Sequence, residues 1–200
     1  MPDQGDPVPG RPGNQGRPLK RSWTIIQDDR EKTPLLFPAN IVMLDDAHLP
    51  CERRTCTVSL TVAKKRLQTG DYALEGFESR VLVERKKHLM ELGGNLLTPT
   101  GRKRFVAACD RLRSECSTPI LILEGTVAHL VSTARNQLDY DPWLVIDALH
   151  RVCLERGIQV LYLPATTPHQ RRSVGEEVAR LLINGALTNG ERTSPELPGS

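Results

Sequence analysis

Between Ser22 and Leu187 the chain alternates short β-prone apolar runs with longer stretches of helical period. Trp23 to Gln27 is the first run, and Val58 to Val62 is the second, with β-branched residues in alternation. Tyr72 to Leu74 and Val81 to Glu84 flank the turn-forming stretch from Glu75 to Arg80 and predict an antiparallel hairpin. Phe105, Cys109, Leu112 and Cys116 recur at spacings of four, three and four, which predicts a helix from Arg102 to Cys116 with one buried face. Ile120 to Leu123 has the composition of a central buried strand. Asp141 before Pro142 predicts an N-cap and a first helical position, and Gly157 a stop, for a helix carrying Trp143, Ile146, Leu149 and Cys153. A strand from Gln159 to Leu163 follows. Thr167, Pro168, His169 and Gln170 then form a capping box before a last amphipathic helix with Val174, Val178 and Leu181, ending near Gly185. Strands first, then alternating helix and strand, imply an α/β domain with a mixed central sheet flanked by helices.

The ends break this pattern. Residues 1–20 hold five Pro and four Gly and leave through Arg17, Lys20 and Arg21, so residues 1–21 are expected to be a flexible basic arm. The Pro, Gly and Ser bearing stretch 188–200 is expected to be a disordered tail, leaving 22–187 as the folded domain. Of the 200 residues, 38% are hydrophobic, enough for a core, and only 4% aromatic, so that core is built from Leu, Val, Ile and Ala. No apolar run approaches the roughly 20 residues of a membrane helix, and the N-terminus lacks a charged-then-apolar signal design. A cytoplasmic, nucleoid-associated location is expected. Five cysteines at irregular spacing do not make a secreted disulfide framework. Cys51 and Cys56 could open a zinc site with Cys109, Cys116 or Cys153, but the spacing fits no common zinc module, and helix packing explains Cys109 and Cys116. The five histidines have no metal-ligand spacing.

Charge changes the picture around the hairpin. In a strand, Glu84 and Lys86 share one face and Val83 and Arg85 the other. If the hairpin turns about Phe77 and Glu78, Asp71 lies opposite Glu84, and two carboxylates converge. Such a pair repels unless a cation sits between them, and hard oxygen ligands suit Mg²⁺ or Mn²⁺. A neighbouring ammonium, Lys86, can position or deprotonate water and offset charge on a phosphodiester. By itself an E-x-K strand is most often an exposed ion pair. Here it has company: Gly70-Asp71 at hairpin distance, Asp28-Asp29-Arg30-Glu31 after the first strand, and ten Lys or Arg against five acids from Lys64 to Arg104. That local excess of +5 exceeds the +3 of the whole chain and marks a surface that phosphates approach.

The run G-D-Y-A-L-E-G, the V-E-R-K-K and the E-L-G-G-N-L that follows resemble the nuclease domain of the XPF family of structure-specific endonucleases, and Asp28 to Glu31 resembles its D-x-R-E motif. The resemblance covers about residues 23–183. It implies a restriction-endonuclease-like core, a Mg²⁺ or Mn²⁺ held by Asp71 and Glu84 with help from Asp28 or Glu31, and a catalytic Lys86. Arg85 would match the central arginine of the E-R-K motif, serving DNA or bracing the site, and Arg104 a phosphate-contacting arginine at the start of the next helix. The family's last acidic position falls on Met90 at the usual spacing, and on Glu91 with one extra residue; Glu91 is favoured. Lys64, Lys65, Arg66, Lys87 and Arg102 complete the expected DNA contacts. No counterpart of the paired helix-hairpin-helix unit of many members is expected in the Pro and Gly bearing stretch after Leu187. Family members pair through the region of the last two helices, so a homodimer or heterodimer is expected. The expected function is metal-dependent endonuclease action on flapped, forked or branched DNA; a non-catalytic DNA-binding scaffold and a restriction-type nuclease are the rivals, and the intact acids count against the scaffold.

Overall fold

Seven strands and five helices account for the regular structure of the described residues, 22–44 and 55–187, of a computed structural model. The expected arm, residues 1–21, and tail, 188–200, lie outside them, as does Cys51. In chain order come β1 (Ser22–Asp28), β2 (Asn40–Leu44), β3 (Thr55–Lys65), β4 (Tyr72–Leu74), β5 (Val81–Lys86), α1 (Leu89–Leu96), α2 (Pro99–Glu115), β6 (Thr118–Leu123), α3 (Val127–Arg135), α4 (Pro142–Glu155), β7 (Gln159–Tyr162) and α5 (Pro168–Leu187). The strands form one mixed sheet in the order β2-β3-β1-β4-β5-β6-β7. β1 runs parallel to β3 and antiparallel to β4, β2 antiparallel to β3, β4 antiparallel to β5, and β5, β6 and β7 parallel to one another. This is the α/β architecture, a mixed central sheet flanked by helices, that the element order implied.

Strand alternation divides the interior in two. Ile26, Ala73, Leu82, Leu121 and Leu123 face one side, where α1, α2, α3 and α4 cover them. Ile25, Tyr72, Leu74, Val83, Ile120 and Ile122 face the other, against α5. On α5, Val178, Leu182 and Ile183 are fully buried, and each such side chain contributes about 2 kcal/mol by leaving water. Gly175 lets α5 approach the loop before β2, because a Cβ there would come within 2.4 Å of the Leu36 carbonyl oxygen.

The helix ends follow the local chemistry anticipated. Asp141 accepts from the Trp143 N–H at 3.1 Å, Gly157 leaves α4 at φ +63°, and the capping box closes reciprocally between Thr167 and Gln170 at 3.1 and 3.2 Å. Other expectations need correction. Trp143 is exposed; the buried stripe of α4 is Val145, Ile146, Leu149, Val152 and Cys153. Leu181 is half-buried, and α5 continues through Gly185 to Leu187. β2, α1 and α3 were not anticipated at all. Cys109 and Cys153 are free thiols buried in the core, and Cys116 gives its thiol proton to the Leu112 carbonyl at 3.4 Å. Among the described residues no helix is long and apolar enough to cross a membrane.

Candidate active site

The hairpin of β4 and β5 pairs Tyr72 with Val83 and Ala73 with Leu82, and the same register carried one step on sets Asp71 against Glu84. Gly70 makes the entry possible. Its φ of +82° belongs to the left-handed region that glycine adopts without strain, and a side chain there would crowd the Val83 carbonyl at 3.3 Å. Asp71 donates its N–H to that same carbonyl at 2.7 Å. Its Oδ2 accepts from the Arg85 N–H at 2.7 Å, so the carboxylate is anchored by backbone from the neighbouring strand.

Asp71, Glu84 and Lys86 open into one cleft of about 320 Å³ on the α1 to α4 side of the sheet, walled by Gln68, Thr69 and Arg30 on one flank and by Arg104 and Arg111 of α2 on another. Burial and the adjacent Glu84 charge push the Asp71 carboxyl up to about 7, against the pull of the Arg85 N–H. Lys86 lies 2.7 Å from Glu84. Burial works to lower the Lys86 ammonium, but the Glu84 charge and hydrogen bond, with Glu91 and Asp71 behind, outweigh it and leave it above its ordinary value. Lys86 is therefore a cation beside the carboxylate pair.

Arg85 points the other way. Its guanidinium is buried on the α5 side, where it donates to the Tyr72 hydroxyl at 2.9 Å and the Thr33 carbonyl at 2.6 Å, and pairs with Glu124 and, at 3.5 Å, with Glu31. Glu124 went unnoticed in the sequence: a lone acid closing the apolar run I-L-I-L, it stands beside the E-R-K strand only because β6 runs parallel to β5. Burial pushes its carboxyl up.

The remaining candidates separate by place. Asp28 is buried at the end of β1, and both its oxygens are engaged, by the Arg30 side chain at 2.7 and 2.8 Å and by the N–H groups of Arg30 and Leu67. Arg30 also donates to the Leu67 carbonyl at 2.8 Å, and the pair pins the loop leading to Gly70-Asp71. Glu31 accepts from Lys87 at 3.1 Å and from the Thr33 N–H; its charge reaches Asp71. Glu91 is exposed in the first turn of α1 and is felt at Lys86, though it does not line the cleft; neighbouring Met90 is also exposed. Of the expected DNA contacts only Arg104 is in the cleft. Lys65 pairs with Glu75 and Arg66 with Asp29, while Lys64 and Arg102 are exposed outside it.

The Asp28 geometry has a pH signature. The Arg30 side chain, with the two N–H donors, holds its carboxyl at about 2 against the cost of burial. A carboxyl held below its unfolded value stabilises the fold fully above about pH 4, and that contribution disappears as pH falls toward 2. Because half of Arg30 faces solvent, about 1–2 kcal/mol is expected. In urea titrations, Asp28→Asn should be less stable than the parent by that amount at neutral pH, with the gap closing below about pH 4; a gap independent of pH would sink this assignment.

Can the cleft take a divalent cation? Among the described residues no group of three or more His, Cys, Asp or Glu is disposed to hold one. The donor set is instead two carboxylates, all oxygen, beside room for phosphate, which suits an ion that keeps several waters and takes one or two protein carboxylates. The residues fit such a group.

A family model for the ERCC4 domain matches residues 29–167. Among solved structures, XPF from Aeropyrum pernix matches with 20% identity and a TM-score of 0.47 over 79% of this chain and 60% of that one. The structure titled XPF from Aeropyrum pernix, complex with DNA, matches with 22% identity and a TM-score of 0.48 over 82% and 64%. The chain therefore spans less than two thirds of the length of either chain. No curated protein matches it.

Proposed function

Because the chain belongs to the ERCC4 domain family, we propose that it is a divalent-metal-dependent DNA endonuclease acting at the cleft between the β4–β5 hairpin and α2. The observation that carries this reading is the convergence of Asp71, Glu84 and the charged Lys86 in one cleft, opposite arginines on α2. Asp71 and Glu84 would hold Mg²⁺ or Mn²⁺, which supplies Lewis-acid polarisation of a phosphodiester and a lowered pKa for water. Lys86 offsets negative charge as it grows on the phosphate, and its hydrogen bond to Glu84 keeps that carboxylate aimed. Arg104 orients the backbone. Asp28 and Glu31 act from behind this pair, Asp28 by fixing the loop before Asp71 and Glu31 by its charge. Arg85 and Glu124 brace the strand from the far side of the sheet. A flapped, forked or branched DNA is the proposed substrate, and pairing through α4 the proposed assembly, supported by exposed Trp143 and Leu154 on one face of that helix.

The test is a labelled panel of single strand, duplex, 3′ flap, fork and four-way junction, incubated with Mg²⁺, Mn²⁺ or EDTA. Cutting that EDTA stops establishes the activity and names the substrate. Binding without cutting in either metal would favour the scaffold reading. On the preferred substrate, Lys86→Ala is expected to lose about 10²–10³-fold in rate while calorimetric Mn²⁺ affinity stays equal or tightens. A Lys86→Ala enzyme as fast as the parent would remove that residue from the site.

A further inference from the structure

Five basic residues lie on α2, and the structure sorts them. Arg113 turns to the helix end, donating to the Cys116 and Ser117 carbonyls at 3.4 and 3.3 Å. Arg102 and Lys103 are exposed outside the cleft. Arg104 and Arg111 both line it, both are exposed, and neither forms an ion pair with another described residue. In a nuclease cleft this is a particular arrangement: seven residues bring a helix back to the same face about 10 Å further along its axis. That separation lets the two guanidiniums meet different phosphates of one strand.

Resting on the nuclease reading, we propose that α2 is the strand track of this site, with Arg111 a second phosphate-binding residue that fixes, together with Arg104, the direction in which the cut strand lies across Asp71, Glu84 and Lys86. The cleft of about 320 Å³ has the size of a small-molecule pocket and admits the backbone of one strand. The basic run at the end of β3 does not serve this track: it lies outside the cleft lining, and two of its three charges are paired, Lys65 with Glu75 and Arg66 with Asp29. The planar fork of an arginine suits phosphate oxygens, and Arg111 has no other partner among the described residues to hold it away from them.

Full-chain protein is titrated against labelled single-stranded and 3′-flap DNA in EDTA, at salt from about 50 to 200 mM, with affinity read by fluorescence anisotropy. Arg111→Ala is expected to weaken binding about fivefold or more at low salt and to reduce the slope of log affinity against log salt by roughly 0.7–0.9, the loss of one phosphate contact. Arg111→Lys should keep that slope. Lys103→Ala makes the same change in net charge on the same helix, outside the cleft, and is expected to stay within about twofold of the parent with its slope unchanged. The inference is overturned if Arg111→Ala binds as the parent does, or if Lys103→Ala loses as much as Arg111→Ala. A parent that binds no DNA at any salt overturns the nuclease reading itself, whereas a parent that binds while Arg111→Ala is silent overturns only the strand track.

Discussion

Glu84→Gln and Asp71→Asn are each expected to slow cleavage by at least about 10³-fold while binding DNA as well as the parent or better. Both directions follow from the same carboxylate pair. Burial and mutual repulsion already strain the two charges, enough to push the Asp71 carboxyl up to about 7, and a divalent cation is the partner that relieves them. An amide in either place keeps the shape and removes one of two oxygen charges on which the cation depends, so the several kcal/mol of transition-state stabilisation that a metal brings are lost. Toward phosphate the change works in reverse, because one repulsive charge is gone from a cleft that keeps Lys86, Arg104 and Arg111. Single-turnover cleavage in Mg²⁺ gives the rate, and anisotropy in EDTA gives the affinity. Variants that cut as fast as the parent would show that the assignment of the site is wrong; variants that lose binding along with cutting would show that the carboxylates hold the structure rather than the ion.

The second large effect lies across the sheet. Glu124→Ala is expected to destabilise the fold by about 3 kcal/mol, since it leaves the buried Arg85 guanidinium without its closest carboxylate. Glu31 at 3.5 Å, with the Tyr72 hydroxyl and Thr33 carbonyl, supplies some compensation, which places the cost at the lower end for a broken buried pair. A double-mutant cycle with Arg85→Met isolates the contact: the double variant Arg85→Met/Glu124→Ala should be more stable than the sum of the single losses predicts, with a coupling of about 1–3 kcal/mol. Urea unfolding provides all four stabilities. Strict additivity would mean that Arg85 is held by its hydroxyl and carbonyl partners alone. The pair matters for the cleft as well, because the strand that carries Arg85 inward carries Glu84 and Lys86 outward, and the Arg85 N–H holds Asp71.

What was legible in the sequence was whatever depends on neighbours in the chain. The hairpin register, and with it the meeting of Asp71 and Glu84, follows from counting outward from a turn. The opposed faces of Glu84 with Lys86 and of Arg85 follow from the period of a strand. The capping box and the Asp141 cap are satisfied within three residues. What was not legible depends on distant partners. Gly93-Gly94 weakens the helical signal of α1, yet Gly93 leaves room for the hydroxyl end of the Tyr140 side chain, which a Cβ there would displace. β2 is an edge strand whose Val42 and Leu44 stay exposed, so its apolar run carries no burial pattern to read. Glu124 acquires meaning only when β6 is laid beside β5, and the charge run from Lys64 to Arg66 loses much of its promise only when Glu75 and Asp29 are seen beside it. Trp143 misled because spacing alone cannot tell which of two neighbouring stripes a helix buries.

The two carboxylates of the cleft sit on strands joined by a single short turn, whereas the sheet around them is assembled from pairings such as β1 with β3 and β5 with β6, which join segments more than thirty residues apart. In kinetic terms these are different events: a hairpin of this size closes in about 1–10 μs, while parallel pairings must first meet the entropy of closing long loops. The like-charged pair is therefore the part of the site that can form earliest and is least comfortable alone, and a divalent cation present during refolding would act on the nascent hairpin before most of the sheet exists to hold it.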